Sequence, residues 1–255
     1  MQLKLSLSKC SILNLGKRTQ KPTYELGPVL LENCDSMRDL RVIVDSELKF
    51  SLHCSTIVKK ASARMNCIFR SFETRDTNFL FQMYKTFVRP KLEYASPCWS
   101  PYLARDIKLV ESVQRAFTRR IPEIARKKIP YTERLADLGL ESLDRRRLHT
   151  DLVFAFKLLY GHLDVDPNKL LTFHPQAYAN FKGQGIANTV LRLHLPNTKK
   201  SCRSNFFGVR IVSLWNRLPS DVKLSMSVKE FKACLRGTAA DRSKVDLSPF
   251  LHKLD

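Results

Sequence analysis

The side chains with the most chemistry to offer in this sequence are cations, and they come in clusters. Lys59, Lys60, Arg64 and Arg70 share one stretch. Arg115, Arg119 and Arg120, followed by Arg126, Lys127 and Lys128, share a second, and Arg145, Arg146 and Arg147 form a third. Over the whole chain 44 Lys and Arg stand against 24 Asp and Glu, a formal net charge of +20. Such an excess repels itself and attracts polyanions, so charge alone allows RNA, DNA or an anionic membrane as partner. A solvated helix face is the alternative for any single cluster, while the clusters together favour phosphate contact. Cations near a helix start oppose its dipole, so Arg145–Arg147 are not expected to be there for helix stability.

Catalytic constellations are absent from the sequence. There is no Gly-Lys-Ser/Thr phosphate loop, HExxH, GxSxG or dinucleotide glycine fingerprint. His53, His149, His162, His174, His194 and His252 stand apart from metal-ligand spacing. The seven cysteines are odd in number and scattered, without a CxxC pair, as expected of reduced thiols in an intracellular protein. Metal-dependent phosphoryl transfer needs at least two converging carboxylates. Asp45, following a candidate strand Leu40–Val44, is a lone carboxylate and reads as a turn or cap residue. No metal site and no cofactor are therefore expected for this chain. Tyr94, Trp99 and Tyr102 flank Pro97 and Pro101, where packing the turn is the expected use and base stacking the alternative.

The elements that must position these residues follow from periodicity. With 255 residues, 44% of them apolar, the chain is long enough for a buried core. Residues 1–50 alternate as short strands: Leu3, Leu5 and Leu7, then Thr23–Leu26, Val29–Glu32 and Leu40–Val44. From residue 51 to 161 the period is helical. Ile57, Ala61, Met65, Ile68 and Phe72 line a first helix. Phe79 to Val88 form a second, capped by Asp76 or Thr77 and ended by Pro90. Ala104–Ile121, Thr132–Leu138 and a helix capped by Ser142 and closed by Gly161 follow. Residues 162–200 read as a loop or linker with a strand near Thr189–His194. Residues 201–236 read as a small helical module, with helices at 205–218 and Val228–Leu235, and 237–255 as a disordered tail. The fold class expected is mainly α (α+β), with a small N-terminal β-sheet. No apolar run reaches 18 residues, so neither a transmembrane helix nor a membrane partner is expected.

One run carries a family resemblance. Tyr84 through Tyr102, YKTFVRPKLEYASPCWSPY, closely resembles a segment that follows the reverse transcriptase palm in jockey-like non-LTR retrotransposon polyproteins. Leu40–Asp45 with Leu48-Lys49-Phe50 and His53, Ile107–Arg120, Tyr131–Leu143 with Arg145-Arg146, and Leu214–Pro219 agree with it in order. The resemblance spans about residues 2–236.

It implies that residues 1–50 are the end of a palm with a primer-grip-like hairpin. Residues 51–161 become a thumb and connector that hold template and primer by the backbone. Lys9 becomes the lysine near the leaving pyrophosphate, acting on charge or a proton. The family's catalytic aspartates lie upstream of everything matched here, so Mg2+ is implied only together with that upstream part. Arg41 stands where the family has glycine. The function expected is a non-catalytic fragment that binds RNA or DNA through Lys59, Lys60, Arg64, Arg70, Arg115, Arg119, Arg120, Arg145, Arg146 and Arg147, in the nucleus or cytoplasm, with the rest of the polyprotein as a further partner. The alternatives are part of a full reverse transcriptase acting in target-primed reverse transcription, and an inert relic whose severed strands expose sheet edges.

Overall fold

The computed structural model describes residues 6–7, 10–16, 22–173, 192–237 and 245–252. It is mainly helical. The strands are β1 (Ser11–Leu13), β2 (Glu25–Leu26), β3 (Val29–Leu30), β4 (Glu32–Cys34), β5 (Ser36–Asp39) and β6 (Val42–Asp45). β1 pairs with β4 in parallel, and β2–β3 and β5–β6 are antiparallel hairpins. The strand expected over Leu40–Val44 is corrected. Leu40 and Arg41 form the two-residue turn between β5 and β6, with φ of 42° and 73°. Two positive φ values give the primed turn whose twist matches a hairpin.

Asp45 has the turn role expected of it. Its Oδ1 accepts from the backbone N–H groups of Glu47 and Lys49, both at 3.1 Å, and its Oδ2 from that of Phe50 at 2.7 Å. This clamps the hairpin to α1 (Ser51–Ser71), whose N-cap Phe50 has φ 58° and no capping side chain. Cys54, Ile57, Ala61, Met65 and Ile68 are the buried face of α1, while Phe72 has left the helix and is exposed.

The Asp76 carboxylate accepts from Phe79 N–H at 2.6 Å and caps α2 (Thr77–Met83). Pro90 does not end this helical run. A π-turn at Tyr84–Val88, closed by Arg89 N–H on the Tyr84 carbonyl, leads into α3 (Arg89–Glu93). Pro90 is the second residue of α3, directly after the π-turn. The proline-bracketed turn is one helical turn, α4 (Ser96–Trp99). Trp99 is buried there and donates Nε1–H to the Tyr94 carbonyl at 2.7 Å.

α5 (Ala104–Arg119), α7 (Tyr131–Asp137) and α8 (Leu143–Leu159) lie where periodicity puts them. α6 (Pro122–Lys127) is an addition. Ser142 Oγ caps α8 by accepting from Arg145 N–H at 3.2 Å. The helices Phe207–Asn216 and Val228–Arg236 complete the C-terminal module.

Two large apolar clusters hold most of these elements, and a small third one, Tyr131, Leu135 and Leu140, seats α7. The first joins β6, α1, the α2–α3 run and α5, and includes Leu143 at the start of α8. The second joins the later turns of α8, from Leu152 to Leu159, to the C-terminal helices. α8 thus runs from one core into the other. Residues 162–173 and 192–200 are mostly irregular, as expected of a linker, but Leu171 and Leu193 are buried and Phe173 bridges to Leu193. Gly208 permits a close approach here, because a Cβ on it would come within 1.8 Å of the Leu170 carbonyl oxygen. The tail assignment over 237–255 is corrected for 245–252. Val245 and Leu247 are buried in the second core, and His252 N–H donates to Asp144 at 3.0 Å.

Candidate nucleic-acid interface

The β5–β6 hairpin, α1 and α3 converge on a groove of about 680 Å3. Helical spacing sets His53, Ile57, Lys60 and Arg64 on one stripe of α1. His53 and Ile57 are buried at the floor, and Lys60 and Arg64 are exposed along the side. Arg38 comes from β5 and Arg41 from the turn of the hairpin, and Lys91 comes from α3. Five cations therefore face one space, with no carboxylate among the described residues that line it. Phe87 and Tyr94 add aromatic surface, 46% and 50% exposed, too open to be core.

His53 is the unusual group. The Ile43 backbone N–H donates to its Nδ1 at 3.2 Å, so the neutral ring carries its proton on Nε2. That Nε2 has no hydrogen-bond partner among the described residues, although His53 is only 2% exposed. Burial first, and the Lys60 charge second, hold the imidazole pKa down at about 4. Trp99 packs edge-on to the ring at 4.9 Å.

The remaining expected cations divide. Lys59 and Arg70 are exposed on α1 but lie about 100° around the helix from the Lys60–Arg64 stripe. Arg120 is exposed on that other side, bound to Asn66 Oδ1 at 2.6 Å and 3.9 Å over the Phe69 ring. Arg115 and Arg119 line a second basic concavity of about 340 Å3 with Lys128 and Arg134. Arg115 and Arg134 stack on the Tyr131 ring, at 4.7 and 5.3 Å.

The third cluster is a correction. Arg147 is buried and bonded to Asp144 at 3.2 Å, so its guanidinium is not a surface phosphate contact. Arg146 is bidentate on Glu93, through Nε to Oε1 and Nη2 to Oε2, and this pair ties α8 to α3. The hydrogen bonds it donates to Glu93 raise the Arg146 pKa. Arg145 lies 3.5 Å from Glu141. Acids three and four residues back, and one on another helix, outweigh the dipole and make this cluster internal ion pairing. Lys9 lies outside the described residues.

Arg38, Arg41 and Lys91 are the groove residues that sequence reasoning missed. The first two escape notice when Leu40–Val44 is read as one strand, because only the turn at 40–41 brings them to one end of the hairpin. Glycine-like demand at position 41 was the available signal.

The residues do not fit the Mg2+ that the resemblance attaches to an upstream catalytic part. Among the described residues no three His, Cys, Asp or Glu side chains are placed to hold a metal ion, and Asp45 already accepts three backbone N–H groups. The described residues include no helix long and apolar enough to cross a membrane.

No family model matches the chain, and no solved structure matches it. An uncharacterized protein of Caenorhabditis elegans is 26% identical over 115 residues, which is 45% of this chain and 58% of that protein. The chain therefore spans less than two thirds of that relative's length, and the relative's description assigns no activity.

Proposed function

We propose that this chain is a non-catalytic nucleic-acid-binding portion of a jockey-like non-LTR retrotransposon reverse transcriptase, and that it grips the backbone of RNA or DNA in the groove between the β5–β6 hairpin, α1 and α3. The observation that carries the reading is the groove itself: Arg38, Arg41, Lys60, Arg64 and Lys91 face one space without a lining carboxylate. Cations so placed neutralise phosphates and release counterions. The run Tyr84–Tyr102 supports the family part, because it supplies Phe87, Lys91 and Tyr94 to the groove that the primer-grip-like hairpin closes. Lys59, Arg70, Arg119 and Arg120 extend the basic surface on other faces and suit longer nucleic acid.

The test is fluorescence anisotropy of mixed-sequence RNA and DNA oligonucleotides with the full chain. Binding without base preference, weakening as salt rises, is expected. Undetectable binding to both at low salt would overturn the reading. The family part is tested separately by reading the transcript upstream of Met1. An in-frame strand turn bearing paired aspartates supports it, and an unrelated upstream frame contradicts it.

A further inference from the structure

The groove has features that a phosphate rail alone does not use. We infer that it takes a single strand of nucleic acid, with a base stacked on Tyr94 or Phe87 and the backbone held by the groove cations. This rests on the nucleic-acid reading above and narrows it.

Two observations carry it. The volume, about 680 Å3, is that of a ligand-sized cleft. A duplex presents two phosphate rails across a groove about 12 Å wide, so it would lie over the mouth and reach the cations without entering. Next, Phe87 in the π-turn and Tyr94 at the C-cap of α3 are both half exposed beside the cations. Exposed aromatic rings interleaved with cations suit unpaired bases, whose faces a duplex keeps stacked. Inorganic phosphate would answer the cations and leave both rings uncovered.

The experiment compares a fluorescein-labelled ten-nucleotide dT strand with the same strand paired to dA, both bound to the full chain at one salt concentration. The single strand is expected to bind at least about tenfold tighter. Tyr94→Ala removes an exposed ring, leaves the core intact, and is expected to weaken strand binding by about 5- to 100-fold and duplex binding far less. Tyr94→Phe is expected to keep wild-type affinity. Duplex binding as tight as strand binding, or an unchanged affinity in Tyr94→Ala, would overturn the inference. If in that event both nucleic acids still bind and weaken with salt, the broader reading stands without it. If neither binds, both fall.

Discussion

Arg41 holds φ at 73°, a backbone region that suits glycine and costs other residues about 1–2 kcal/mol. Arg41→Gly is expected to stabilise the chain by about 1 kcal/mol, read as a shift in urea midpoint. The same change removes a groove cation, so nucleic-acid affinity is expected to fall as stability rises. His53 gives a second expectation at this scale. An unfolded imidazole titrates near ~6.5, and the buried ring does so near about 4. Between these values the unfolded chain takes up a proton that the folded chain refuses. The stability is therefore full above pH ~6.5, falls as pH drops, and levels off below about 4, a loss on the order of 2–3 kcal/mol. Urea midpoints between pH 7 and 4 should show this fall in the wild type and lose it in His53→Gln. An equal fall in both would contradict it. Neither residue announces itself in the sequence. Arg41 shows in the sequence only through the glycine of the resembled family, and its turn role needs the hairpin register; His53 carries no spacing that separates a buried orphan from a surface histidine.

At the scale of elements, Asp45 is the joint between hairpin and helix. Its three accepted N–H groups stand in for the cap that Phe50 does not provide. Asp45→Ala should cost about 1–3 kcal/mol and loosen the hairpin, seen as faster amide exchange at Glu47, Lys49 and Phe50. Asp45 was readable as a turn residue, because a short carboxylate after a β-branched run has few other uses. The helices with apolar residues three and four apart were readable for the same reason. The π-turn was readable in principle. Leu80, Tyr84, Val88 and Leu92 are all fully buried at strict four-residue spacing, wider than the 3.6 of an α-helix. A proline at position 90 hid that signal by suggesting a helix end. The Arg145–Arg147 cluster misled in the opposite direction. Its counter-charges are Glu141 and Asp144 nearby, but also Glu93, which is 53 residues away and reachable only through the fold.

At the scale of the whole molecule, one arginine ties the two cores together. Arg210 is bidentate on buried Asp151, at 3.0 and 3.1 Å, and also donates to the Pro97 carbonyl at 2.9 Å. Burial raises the Asp151 pKa, and the Arg210 charge opposes that rise. Arg210→Ala would strand a buried carboxylate, so a loss of about 3–5 kcal/mol is expected in urea unfolding. A change below ~1 kcal/mol would show that the cores hold together without it. The mainly helical class and the strand-first order were legible from periodicity. The docking of residues 245–252 was not, because two buried side chains in a short segment leave no period to read.

The claim on which the rest depends is that the groove cations touch phosphate. The measurement that reaches it most directly is the salt dependence of binding for the wild type and for a Lys60→Ala, Arg64→Ala, Lys91→Ala triple variant. Each phosphate contact contributes about 0.7 to 0.9 to the slope of log affinity against log salt concentration. The triple variant should therefore bind more weakly and lose about 2 to 3 from that slope. A slope unchanged from the wild type would place the phosphate contacts elsewhere on the molecule and contradict the groove as the binding site.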